Sequence, residues 1–429
     1  MRILLFFYNL ILPLGFIFFL PGLLWKLWRR PGWKKTFSER FGCFSRQRKK
    51  ELTAYQNGIW IHAVSVGESV IALALSRKLR QRYPNLPIVI STGTTTGQDL
   101  VRKQLPEGVA AIFCPMDFLW MVCRTLRLIK PRMLVIFETE IWPNLIVQAQ
   151  KLQIKTALVN ARLSDHSAKG YMRFKFFFGP LLAKFDLIAA QGAGDQERFQ
   201  KVSPQANVVN CGNLKFDQSV PGDLQAVDLS EVFGTTASPV LLGASTHPGE
   251  EAVIAASFLE LRKSIESLRL VLIPRHAERG GEVAEMLKKL NIPLLRRSSG
   301  EQIGEGNTLC LLADTTGEML KFMKSADVVI MGKSLAGHDE GHNLIEPALL
   351  KKAIVTGHKL RNFRFLLQVL TQKNAVKTVA DDSELTPALL ELLQNEQLRS
   401  NLGNAAYEAI NEHAGASAKT IEALDKLLQ

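Results

Sequence analysis

Residues 325–347 read SADVVIMGKSLAGHDEGHNLIEP, and this stretch decides the fold. Residues 328–331 are a short, wholly apolar run, the mark of a strand buried on both faces. A loop with three glycines, Gly332, Gly337 and Gly341, follows, and the chain then enters a segment that reads as a helix with Glu346 in its first turn. Glycine lets a backbone come close to a ligand, and the unpaired N–H groups of a helix start attract phosphate. A carboxylate one turn in can accept hydrogen bonds from a ribose diol. A strand, loop and helix built this way can hold a nucleotide. Taken alone, the same pattern also serves as a plain glycine-rich connection to a crossover helix.

Working outward, short apolar runs alternate with amphipathic segments. Candidate strands in the first half are 59–63, 88–91, 110–113, 133–137, 156–160 and 187–190. Around 216–239 the periodicity breaks into a polar stretch with Pro221, Gly222 and Gly234, an expected linker. Strands resume at 240–243, 270–273, 309–312, 328–331, 353–356 and 375–379. Alternation of strand and helix implies an α/β protein with parallel sheets covered on both faces. At 429 residues, two domains are expected, with ligands held at the carboxyl ends of the strands.

The loops at those ends are polar. HAVSVGE (62–68) ends the first strand, with Ser65 placed as a helix cap. STGTTTG (91–97) ends the second and ETEIWPN (138–144) the fourth, with Pro143 near a helix start. Carboxylates at such positions, Glu68 and Glu138 among them, suit either chemistry or the capping of a helix dipole. In the second half ASTHPGE (244–250), PRH (274–276) and DTTGE (314–318) follow strands, and Arg275 is suited to a forked contact with phosphate. His62, His247, His276 and His342 also lie near strand ends, but without metal-ligand spacing, and read as hydrogen-bonding residues. No D-x-D motif occurs, so the usual metal clamp on a diphosphate donor is missing.

The net charge of +13 points to nucleic acid until it is located. Residues 1–50 hold eleven Lys/Arg against one acid, Glu39, so the basicity belongs to the N-terminus and not to a domain surface. Ile3 to Trp25 carries no charge, and a helix of that length reaches roughly 35 Å, enough to cross a bilayer core of about 30 Å. Asn9, Pro13, Gly15 and Pro21 interrupt it, which leaves bent or shallow insertion open. Lys26, Arg29, Arg30, Lys34 and Lys35 follow, interleaved with Trp25, Trp28 and Trp33, as expected at a cytoplasmic interface. A membrane anchor is therefore expected, with the bulk of the chain in the cytosol. A second mixed patch, 169–178, carries Lys169, Arg173 and Lys175 among aromatics; it reads as an interfacial contact or as an ordinary packed helix. The five cysteines are scattered, with no CxxC pair, as in a reducing compartment.

Taken together, SERFG (38–42), SVGE (65–68), ETEIWPN (138–144), NARLS (160–164), GNLKFD (212–217), STH (245–247), PRH (274–276), Gly317-Glu318 and GHN (341–343) resemble the 3-deoxy-D-manno-octulosonic acid (Kdo) transferases over nearly the whole chain. The resemblance implies the GT-B architecture: two Rossmann-like domains facing a central cleft, preceded by an N-terminal membrane-anchor helix. The expected division is an anchor and basic segment at 1–33, an acceptor domain at 34–218, a linker at 219–238 and a donor domain at 239–429, whose last helix can pack back on the acceptor domain. It further implies inverting transfer of Kdo from CMP-Kdo onto a lipid A precursor, lipid IV(A), at the inner membrane. Membrane lipids are then partners, nucleic acid is not, and neither a cofactor nor a catalytic metal is expected.

By the same resemblance Glu68 matches the general base. Pro274, Arg275, Thr316, Gly317, Glu318, Asn343, Leu344, Ile345 and Glu346 match the CMP contacts. One departure is Lys333, where the family commonly has a second glycine before the serine. Two other classes remain open on the sequence: a GT-B-like sugar-nucleotide epimerase, which needs no lipid anchor, and a non-catalytic tethered protein that binds nucleotide sugar.

Overall fold

The structure is a computed structural model describing residues 2–28, 38–234, 238–300 and 308–429. The chain divides into two compact units, residues 1–217 with 414–429, and residues 218–413.

The first unit is built on a parallel seven-stranded sheet: β1 (Ile59–Ala63), β2 (Ile88–Thr92), β3 (Val109–Phe113), β4 (Met133–Phe137), β5 (Lys155–Ala161), β6 (Leu187–Ala190) and β7 (Val208–Asn210). Its spatial order is β3-β2-β1-β4-β5-β6-β7, so the winding reverses between β1 and β4. β1 to β4 are buried along their whole length, which is why they read as apolar runs, interrupted only by His62, Ser91 and Thr92 toward the carboxyl ends of β1 and β2. Side-chain alternation sends Trp60, Leu134 and Ile136 to one face and Ile59, Ile61 and Val135 to the other, giving a core on each side. The C-terminal helix Ala416–Leu428 belongs to the second of these cores through Ala416, Ile421 and Leu424. Asp217 fixes its start: its carboxylate accepts the backbone N–H of Gly415 (2.7 Å), Ala416 (3.2 Å) and Ser417. Unpaired N–H groups of a first turn make such a carboxylate cap favourable.

The second unit is also built on a parallel seven-stranded sheet: β8 (Val240–Thr246), β9 (Arg269–Pro274), β10 (Leu294–Arg296), β11 (Cys310–Leu312), β12 (Val328–Met331), β13 (Ala353–Gly357) and β14 (Lys377–Val379). All pairings are parallel, in the order β10-β11-β9-β8-β12-β13-β14, with the reversal between β8 and β12. Among its described residues, the expected linker holds a short helix, Ser230–Phe233, and turns.

The N-terminal helix runs Arg2–Trp28. Among the described residues no helix is long and apolar enough to cross a membrane. The side chains of Trp25, Lys26 and Trp28, and all of Arg29, Arg30, Trp33, Lys34 and Lys35, lie outside the described residues. The patch at 169–178 is two short helices, Asp165–Arg173 and Lys175–Leu182.

Candidate active site

Each sheet presents its polar loops at the carboxyl end of the strands flanking its reversal point, where ligands bind in open α/β sheets. In the first unit these loops gather carboxylates. The helix Val66–Arg82 starts directly after β1 with Ser65 as cap. Ser65 Oγ accepts the Glu68 N–H (3.2 Å) while its hydroxyl donates to Glu68 Oε1 (2.7 Å), and the Val64 N–H donates to Oε2 (2.8 Å). This reciprocal capping box holds the Glu68 carboxylate in one place. The group is buried, and burial raises its pKa despite those bonds, with Glu138 and Glu140 raising it further.

Glu138 and Glu140 arrive from β4, on the other side of the reversal. Glu138 has a left-handed backbone, φ 54°, a conformation costly for a side chain with a Cβ and typical of strained functional positions. It pairs with Lys215 at 3.0 Å, and Glu140 accepts the Trp142 indole N–H at 2.9 Å. His62 is sealed beneath, between Ser91 (3.0 Å) and Cys114 (3.6 Å), and burial pushes its pKa down to about 4. It is a neutral packing residue. Arg40, from the SERFG block, donates to the Gly93 carbonyl at 2.7 Å and lies over Phe113, so that block positions the β2 loop.

In the second unit the loops at the reversal enclose a cavity of about 440 Å³. Pro274 and Arg275 from β9, Thr316 and Gly317 after β11, and Asn343 and Glu346 after β12 line it. Six of the nine expected CMP contacts thus come together in one hollow. Leu344 and Ile345 do not line it: both are buried in the core beneath. Glu318 does not either: its carboxylate accepts from Thr315 (2.6 Å) and Arg297 (3.1 Å), which hold its pKa below the usual range. Glu346 is mostly buried, and its pKa is raised by burial and lowered in part by Arg275. A larger hollow of about 660 Å³ opens at the amino ends of β8 and β12, where this fold class does not bind ligands.

His342, which also lines the cavity, meets His247 through their Nε2 atoms at 3.0 Å, and burial pushes the pKa of both down to about 4. Among the described residues no three His, Cys, Asp or Glu side chains gather to hold a metal.

The loop 333–335 depends on a residue that sequence reasoning passed over. Glu250, wholly buried, accepts the backbone N–H groups of His247 (2.8 Å), Lys333 (2.7 Å), Ser334 (2.8 Å) and Leu335 (2.9 Å). One carboxylate therefore ties the loop after β8 to the loop after β12. In the sequence it is merely an acid at a helix start. Lys333 itself sits at φ 64°, the left-handed region that glycine occupies without strain, and this is where the family pattern has its second glycine.

The fold is that of GT-B glycosyltransferases. A glycosyltransferase from Rickettsia africae superposes with a TM-score of 0.57 at 11% identity, covering 87% of this chain and all of that one. A UDP-GlcNAc 2-epimerase from Neisseria meningitidis bound to UDP-GlcNAc gives 0.57 at 14%, covering 86% of this chain and 100% of its own. At such identities the likeness shows the fold alone.

Sequence relatives are more specific. Residues 35–218 match the family described as 3-deoxy-D-manno-octulosonic-acid transferase (kdotransferase). A 3-deoxy-D-manno-octulosonic acid transferase from Haemophilus influenzae is 33% identical over 94% of this chain and 93% of its own length. One from Bordetella pertussis is 31% identical over 94% and 95%. The chain belongs to the 3-deoxy-D-manno-octulosonic acid transferase family, and it is a glycosyltransferase.

Proposed function

We propose that the chain moves Kdo from CMP-Kdo onto a lipid A precursor, lipid IV(A), with inversion at the anomeric carbon, at the cytoplasmic face of the inner membrane. The observation that carries the donor half is the cavity at the β8/β12 reversal, where Arg275, Thr316, Gly317, Asn343 and Glu346 converge. A monophosphate nucleotide needs a cation for its phosphate and acceptors for its ribose, and that set offers both.

Glu68 is the base of this reading. An acceptor hydroxyl oxygen attacks the anomeric carbon of Kdo, and the bond from that carbon to the CMP phosphate oxygen breaks. The hydroxyl proton passes to the Glu68 carboxylate, and CMP leaves with the bonding electrons as a phosphate monoester. A carboxylate fixed by Ser65 and Val64, with its pKa raised by burial, suits that task. Arg275 is placed to offset charge growing on the leaving phosphate. The lipid acceptor accords with the exposed apolar side chains of the N-terminal helix.

Incubation of the purified chain with CMP-Kdo and lipid IV(A), followed by mass spectrometry, tests this directly. A mass gain of one or more Kdo units on the lipid is expected. Unchanged lipid with intact donor consumed by neither hydrolysis nor transfer would overturn it.

A further inference from the structure

The sequence presents residues 3–25 as a stretch fit to cross a bilayer. The described part of the helix does something else. Between Ile3 and Phe18 it carries two polar side chains, Tyr8 and Asn9, and both are bonded to the first unit. The Tyr8 hydroxyl donates to Asp117 Oδ2 at 2.9 Å. That carboxylate is buried and also accepts the N–H groups of Asn144 (2.9 Å) and Leu145 (2.8 Å), so it is part of the folded domain and not a surface group. Asn9 and Asn144 exchange amide hydrogen bonds of 3.0 and 2.8 Å. Leu5 packs against the core on this side of the sheet, and Phe16 meets Phe118 edge to face at 5.3 Å.

These contacts run from Leu5 to Phe16, about 16 Å along the axis at ~1.5 Å per residue. A helix held along that length lies against the domain. It cannot also stand in hydrocarbon with lipid on all sides while the domain stays in water, because a buried carboxylate and two amides would have to follow it or lose their partners.

The opposite face is open. Phe6, Phe7, Leu10, Ile11, Leu14 and Phe18 follow the three- and four-residue spacing of one helical stripe, and each is more than half exposed. The stripe continues beyond the helix. Leu119 and Trp120, next to Phe118, are exposed, as are Met172, Phe174 and Phe176. The last three alternate with exposed Lys169, Arg173 and Lys175 on helices that pack, through Phe177 and Phe178, on the same core that receives Leu5. Apolar and aromatic side chains interleaved with cations match a bilayer surface bearing anionic headgroups.

We infer that the N-terminal helix lies in the plane of one leaflet, latched to the acceptor-side unit by Tyr8–Asp117 and Asn9–Asn144, with its apolar stripe and the 169–176 patch immersed together in an anionic lipid surface. The inference rests on the reading above that the acceptor is a membrane lipid, and it specifies how the enzyme meets that membrane. Asn9, an interruption in a spanning helix, becomes the residue that holds the helix down.

The test uses the full chain with a protease site fused ahead of Met1, added from outside to vesicles of phosphatidylcholine and phosphatidylglycerol. The chain should float with the vesicles, and added protease should remove the tag completely without detergent. Phe7→Glu with Leu14→Glu should lower vesicle partition about tenfold or more while leaving transfer to detergent-dispersed acceptor intact, which shows that the variant is folded. Tyr8→Phe with Asn9→Leu should still bind vesicles but leave part of the tag protected.

A wild-type tag protected until detergent is added means a spanning helix and overturns the inference. So does an unlatched double variant cleaved as fully as wild type. Stripe variants that turn a dimer into a monomer while binding vesicles normally would assign the face to a second copy, again against it. Failure of Kdo transfer with the tag fully cleaved would sink the catalytic reading and leave this one standing.

Discussion

The two sheets are both parallel and seven-stranded with one reversal of winding; they differ in strand order, β11 lying between β10 and β9, and in what their loops carry. At the β1/β4 reversal the first unit collects Glu68, Glu138 and Glu140, with one lysine, Lys215, beside them. At the β8/β12 reversal the second collects Arg275, Lys333, His247 and His342, with Glu346 set low in the cavity. Two parallel sheets thus carry loops of contrasting charge at their reversal points, which the proposed function uses as a place to accept a proton and a place to hold an anion. The backbone provides positions at strand ends, and side-chain charge decides their use.

The comparison breaks most sharply at Glu68. Glu68→Gln should keep CMP affinity and lower the transfer rate by about 10²–10⁴-fold, the usual worth of a positioned base. Calorimetry and single-turnover assays on the same sample check both halves, and wild-type turnover would remove chemistry from the first unit.

Glu250 tests the other side. Four backbone N–H groups lose their charged acceptor in Glu250→Ala, so a stability loss of about 3 kcal/mol and loss of CMP binding are expected. Urea unfolding reads the first and calorimetry the second. A neutral outcome would mean that the donor loop stands without its tie.

Arg275→Ala should weaken CMP binding by about 10–100-fold, a charge-assisted bond to phosphate being worth about 1.5–3 kcal/mol, and leave free cytidine unaffected. Equal losses for both ligands would move Arg275 off the phosphate.

The pH profile sharpens the contrast without disabling either unit. Glu68 accepts a proton only when ionised, so transfer is present above its pKa and lost as pH falls through it. Burial and the neighbouring carboxylates raise that pKa, which places the acid limb above the ordinary glutamate value of about 4.3. Glu138→Gln removes one of those negative neighbours and should slide the limb to lower pH. A limb that stays where it was would mean another group titrates.

The smallest effect belongs to Lys333→Gly. Relief of a left-handed lysine, offset by a freer unfolded chain, should stabilise the protein by about 0.5 kcal/mol. Destabilisation on urea unfolding would show that the Lys333 side chain matters more than its backbone.

Much of this was legible because parallel strands buried on both faces leave apolar runs. All twelve expected strands are present, with ends shifted by a few residues. β7 and β10 escaped because each is three residues long at a sheet edge, only partly buried, and mixed in composition. The six expected residues that line the cavity came from the family resemblance, with Arg275 and Glu346 also singled out by their own chemistry at strand and helix ends. Leu344 and Ile345 lie between cavity residues in sequence but point inward, since a helix start turns successive side chains about 100° apart. Glu250 was hidden because three of its four partners are backbone groups some eighty residues away, which no local pattern records. The Asn9–Asn144 bond was hidden for the same reason: the partner lies far along the chain.

The central claim is that the first unit supplies the base and the second unit holds the donor. The most direct measurement is the single-turnover rate of Kdo transfer to lipid IV(A) from Glu68→Gln enzyme saturated with CMP-Kdo. The account predicts a saturated donor site and a transfer rate reduced at least about a hundredfold. A rate equal to that of wild type, with the donor bound as tightly, would contradict it.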